Sequence, residues 1–74
     1  SLAKYASRKL SEEIQFNIND LAEYQTHFTA DVGLFLEKDN KSAATRARKS
    51  LLEISKLCKE IRKQIQEIKN SSTA

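Results

Sequence analysis

The thirty residues from Lys41 to Asn70, KSAATRARKSLLEISKLCKEIRKQIQEIKN, decide the fold. Ala44, Ala47, Leu51, Ile54, Cys58, Ile61, Ile65 and Ile68 follow one another at gaps of three and four without a miss. That spacing is a heptad seam, and it calls for one long helix pressed along its length against another. No Gly or Pro interrupts the run, and most of its residues are good helix formers. At 1.5 Å per residue the helix is roughly 40 Å long.

Upstream, Ile14, Ile18, Leu21, Gln25, Phe28, Val32 and Phe35 recur at the same alternating gaps. They predict a first helix from Ser11 to Leu36 with Gln25 as the single polar residue of its seam. A polar residue there sets register or lies at the rim. Asp20 and Glu23 form a capping-box pattern, so a break near Asn17–Asp20 is the alternative to a continuous helix. The undisturbed heptad phase favours continuity. Gly33 either admits a close helix contact or is incidental. Glu37 to Asn40 reads as a turn, with Asn40 as N-cap of the helix that starts at Lys41. So short a connection makes the helices antiparallel neighbours, with Ala44 and Ala47 facing Phe28, Val32 and Phe35. Residues 1–10 read as a basic N-terminal extension, with Leu2, Tyr5, Ala6 and Leu10 on one face. Residues 70–74 read as a frayed polar tail.

Seventy-four residues make one small domain, and a chain of this size often needs a staple or a partner. Phe16, Tyr24, Leu34, Leu36, Leu52 and Leu57 widen the apolar stripes beyond what a single neighbour covers. The expected architecture is therefore all-α: a hairpin of two long helices, self-associating as a dimer into a coiled-coil-like four-helix bundle.

The composition excludes several function classes. One Cys and one His form no disulfide and no ordinary zinc site, and no catalytic constellation or cofactor motif is present. Cys58, placed on the seam, reads as a small core residue. No apolar run reaches transmembrane length, and no stretch of these residues reads as a signal peptide, which leaves a cleaved targeting segment open. An enzyme is not expected, and neither is a cofactor.

Charge is where the sequence speaks about function. Residues 1–40 hold four basic and seven acidic side chains, net −3; residues 41–74 hold nine basic and three acidic, net +6. Such asymmetry points to one helix meeting a polyanion, or to attraction between the two halves. On the second helix Arg48 and Lys49, Ser55 and Lys56, Arg62 and Lys63, then Lys69 recur on one side at seven-residue steps. The plain alternative is a solvated ladder, in which Lys49–Glu53, Lys56–Glu60 and Lys63–Glu67 pair at i,i+4 and Glu53–Lys56 and Glu60–Lys63 at i,i+3. Arg46, Arg48, Lys59, Arg62 and Lys69 find no good acid in that ladder. Arg46, Arg48 and Arg62 also carry the planar fork that suits phosphate.

The run EKDNKSAATRARKSLLEISKLCKEIRKQIQEIKN resembles the bacterial histone H1-like family of the Hc1 type, from about Asp31 to Asn70. The likeness rests on Lys38, Asn40, Lys41, Ala43, Ala44, Arg46 and Arg48 around the turn, and on the rows Glu53–Leu57 and Glu60–Lys63. Asp39 stands where the family usually has glycine, and this sequence holds none of the long Lys/Ala-rich tail of the tailed members. The resemblance implies a small helical nucleoid protein, cytoplasmic, that binds double-stranded DNA with little sequence preference. Lys41, Arg46, Arg48, Lys49, Lys56, Lys59, Arg62, Lys63 and Lys69 would then track the phosphates, weakly for the isolated domain. No base-reading helix or stacking platform accompanies them. The competing readings are a helical oligomerisation or scaffold module with no nucleic-acid role and, less fitting to so narrow a seam, a surface that lies on anionic membrane.

Overall fold

A computed structural model of the chain describes residues 2–72, with side chains described for 8–71. Two helices, α1 (Leu2–Lys38) and α2 (Lys41–Ser72), form an antiparallel hairpin. The rod measures 56 × 15 × 13 Å. α1 runs without a break through Asn17–Asp20 and takes in the stretch read as an extension. The side chains of Leu2, Lys4, Tyr5 and Ala6 lie outside the described residues, as do Thr73 and Ala74 of the tail.

The turn is built from two residues with distinct tasks. Asp39 adopts a left-handed backbone at φ 51°, which ends α1. A short polar side chain tolerates this conformation, and glycine tolerates it best. Asn40 caps α2: its Oδ1 accepts from the Ala43 N–H at 3.0 Å, and its carbonyl accepts from the Ala44 N–H at 3.2 Å.

The seam between the helices differs from the expected one at every second step. On α1 the inward positions are Leu10, Ile14, Asn17, Leu21, Tyr24, Phe28 and Asp31, with Val32 and Gly33 half-buried beside Asp31; on α2, after the cap Asn40, they are Ala43, Ala47, Ser50, Ile54, Leu57, Ile61, Gln64 and Ile68, with Ala44, Glu53 and Ser71 half-buried at their edge. The columns of Ile14, Leu21, Phe28 and of Ala47, Ile54, Ile61, Ile68 lie where the pattern predicts. Their companions lie one residue earlier. Ala43 is 0% exposed in place of Ala44, and Gln64 5% in place of Ile65, which is 54% exposed. Leu51 and Cys58 are likewise exposed, while Ser50 and Leu57 face inward. On α1, Asn17 and Tyr24 replace Ile18 and Gln25.

The physical reason is that the inner polar residues satisfy each other. Asn17 Nδ2 donates to Gln64 Oε1 at 2.9 Å across the helices. No buried side-chain polar atom among the described residues lacks a partner. Two small residues, Ala43 and Ala47, let the helices close near the turn. Gly33 has no part in that closeness, since a Cβ built on it meets nothing within 4 Å. The core is thin: Ile14, Ala43 and Ala47 are its buried apolar residues, and no large side chain among the described residues is fully buried.

Candidate nucleic-acid interface

All nine basic residues singled out on α2 are exposed. Their placement around the helix divides them. At the 3.5 residues per turn of a heptad seam, the columns of Lys41, Arg48, Arg62 and Lys69, then Lys59, then Lys49, Lys56 and Lys63 fill one arc of roughly 100°. The middle of this arc lies opposite the inner columns, so it points directly away from α1. Lys59, Arg62 and Lys63 come together with Ile65 and Gln66 around one open dish.

Arg46 stands apart. Its Nε donates to Asp31 Oδ1 at 3.2 Å across the hairpin. Arg46, for which the ladder on α2 holds no good acid, is thus paired all the same. The partner comes from the other helix, an acid on α1's inner column that the short turn brings opposite it. Asp31 is the functional neighbour that pairing rules within one helix miss. Arg46 and Lys49 share a polar groove with Tyr24, His27, Asp31, Ser50 and Glu53, on the side of the hairpin away from the dish.

The acidic ladder is mostly open. Lys56 Nζ meets Glu53 at 3.6 Å. Among the described residues, Lys49–Glu53, Lys56–Glu60, Lys63–Glu67 and Glu60–Lys63 do not approach within 4.0 Å. Lys41, Arg48, Lys49, Lys59, Arg62 and Lys63 are therefore six cations on one outward arc with no acid in reach. Exposed pairs such as Lys56–Glu53 contribute at most about 1 kcal/mol and break readily in favour of a phosphate. The described residues hold no group of three or more metal-ligating side chains, and no described helix is long and apolar enough to cross a membrane.

The model of the histone H1-like protein Hc1 family matches residues 15–71, most of the chain. The chain belongs to the Hc1 histone H1-like family. The match reaches back to Gln15, well before the Asp31–Asn70 stretch that carries the visible likeness, so it takes in α1 from Gln15 onward as well as α2 up to Ser71. No curated protein and no solved structure matches the chain. Hc1 membership makes this a histone-like, DNA-binding nucleoid protein, of a structural family and not an enzyme family.

Proposed function

We propose that this Hc1-family hairpin binds the phosphate backbone of double-stranded DNA through the outward arc of α2, without sequence preference. The observation that carries the reading is the set of six acid-free cations on one face of a straight helix. A polyanion gains from such a face by releasing its condensed counterions. The arc offers lysine and arginine ends and no aromatic side chain, and its two amides are turned to each other, Gln66 Nε2 donating to Asn70 Oδ1 at 3.2 Å, so contacts position the protein and carry no sequence information. Arg46 serves the fold in this reading, and Lys56 joins the contacts once it leaves Glu53. The proposed setting is the cytoplasm, on the nucleoid. Self-association belongs to the same reading: two hairpins pair as a dimer, and the bundle hides what each leaves bare.

The test is a titration of two duplexes of unrelated sequence at low and moderate salt. The expected result is equal affinity for both, falling steeply with salt. Absence of binding at low salt, or a marked preference for one duplex, refutes the reading. Replacing Arg48, Arg62 and Lys63 with Gln separates it from a scaffold module, which would keep both its assembly and its activity.

A further inference from the structure

The outward arc of α2 is not all charge. Leu52 stands in its middle column, in line with Thr45, Lys59 and Gln66, where the helix is turned furthest from α1. It is 57% exposed. On a helix the side chains three and four residues away are a residue's surface neighbours, and for Leu52 these are Arg48, Lys49, Ser55 and Lys56. Three cations and a hydroxyl ring one leucine. The acids of α2 keep clear of it, since Glu53, Glu60 and Glu67 share the column beyond Lys49 and Lys56.

The hairpin's other exposed apolar residues on α2, Leu51 and Ile65, flank the seam. Leu52 lies opposite the seam. Whatever covers it must also cover Arg48, Lys49 and Lys56, and a second α2 laid there would set like charge against like. The partner that suits a leucine ringed by cations is a polyanion with an apolar interior behind its charge. Duplex DNA is one, with phosphates bordering each groove and stacked bases between them. An anionic membrane is another, but a column that otherwise holds Thr45, Lys59 and Gln66 offers lipid no apolar face.

We infer that Leu52 is a wedge, which enters between two base pairs from the minor groove, unstacks that step and kinks the duplex. The inference rests on the DNA-binding reading above and adds to it the one side chain that reaches past the phosphates. Width makes the kink necessary. The minor groove of B-DNA is about 6 Å wide and a helix with its side chains about 10–12 Å, so α2 seats there only once the groove is opened. An apolar side chain pressed between base steps opens it. Arg48 stands to one side of Leu52 and Lys49 and Lys56 to the other, so each strand bordering the opened groove meets a cation. A wedge senses how firmly a step is stacked and makes no hydrogen bond to a base edge, so two long paired duplexes still bind alike.

The experiment compares the whole chain with Leu52→Ala and Leu52→Met. The site is exposed and both replacements are good helix formers, so circular dichroism is expected to show helix retained. Two labelled duplexes share one sequence, and one of them carries a single central mismatch, whose step is easier to unstack. The unaltered chain is expected to bind the mismatched duplex about tenfold more tightly and to bring dyes on the duplex ends closer, read by energy transfer. Leu52→Ala is expected to bind the two duplexes within about twofold of each other, to leave the ends where they stand, and to keep the salt slope within about 0.3 of the unaltered value. Leu52→Met, which keeps an apolar wedge, is expected to show both the preference and the bend. Equal binding of the two duplexes by the unaltered chain, an unbent duplex, a preference that survives Leu52→Ala, or a Leu52→Met chain that behaves as Leu52→Ala overturns the wedge while DNA binding stands. The first two together are what a helix lying undeformed in the major groove, about 12 Å wide, would give. Flotation of the unaltered chain with phosphatidylglycerol vesicles that is lost in Leu52→Ala assigns the leucine to lipid and also overturns the wedge. Failure of the unaltered chain to bind either duplex at low salt overturns the DNA reading, and the wedge with it.

Discussion

The salt dependence of DNA binding is the most exposed consequence of the arc on α2. Lys41, Arg48, Lys49, Lys59, Arg62 and Lys63 have no acid within 4.0 Å among the described residues, so each is available to neutralise one phosphate. At about 0.9 per phosphate the slope of log K against log salt is about −5 per hairpin, and affinity falls about 2,000-fold between 50 and 200 mM salt. Replacing Arg48, Arg62 and Lys63 with Gln removes three of the six, which brings the slope to about −3 and the fall to about 40-fold. Arg46→Gln supplies the internal control. Its guanidinium is held at 3.2 Å by Asp31 and lies off the arc, so its loss is expected to leave the slope within about 0.3 of the unaltered value. Fluorescence anisotropy with a labelled duplex, titrated at four or more salt concentrations, measures all three slopes. A slope for the unaltered chain shallower than about −2, or an Arg46→Gln effect as large as that of the triple change, refutes the assignment of the arc.

Other predictions concern the fold that holds the arc straight. Asn17→Leu or Gln64→Leu alone strands the other amide near the core and is expected to cost about 1 kcal/mol, while the double change restores stability; a urea-melt cycle that is additive within about 0.3 kcal/mol speaks against the 2.9 Å pair. Ala43→Leu, at a site with no exposure, is expected to cost about 1–3 kcal/mol and Ala44→Leu under about 1, so equal thermal shifts would return the seam to the expected phase. Asp39→Val, forced to φ 51°, is expected to lose about 1–2 kcal/mol, whereas Asp39→Gly loses nothing measurable by thermal melting. Gly33→Ala meets no atom within 4 Å and is expected to stabilise the hairpin by about 0.5–1 kcal/mol; a loss of stability in the same melt would mean that something packs on that Cα.

What the sequence makes legible, and what it hides, follows from one ambiguity in the heptad. Hydrophobic spacing identifies two long helices and a short antiparallel turn through Asp39, Asn40 and the apolar runs on either side, and only the break near Asn17–Asp20 is left for the structure to remove. It also finds one column of each seam, through Ile14, Leu21 and Phe28 and through Ala47, Ile54 and Ile61. The second column is chosen between two candidates one residue apart, and apolarity alone picks the wrong one: Leu51, Cys58 and Ile65 over Ser50, Leu57 and Gln64. The tie is broken by pairing across the hairpin, Asn17 to Gln64 and Asp31 to Arg46, which no single-helix pattern displays. The same ambiguity decides the site. Moving the inner column by one residue leaves the lysine and arginine columns on the outside in either phase, so the basic arc is readable from the sequence even though the seam is half misread. Arg46, at the edge of the arc, is the residue whose role depends on the phase, and it is the one that the cross-hairpin ion pair removes from the arc. The displaced apolar column then has a use of its own. A sequence that carries three candidate columns, where one hairpin fills two, carries one more than a single copy needs.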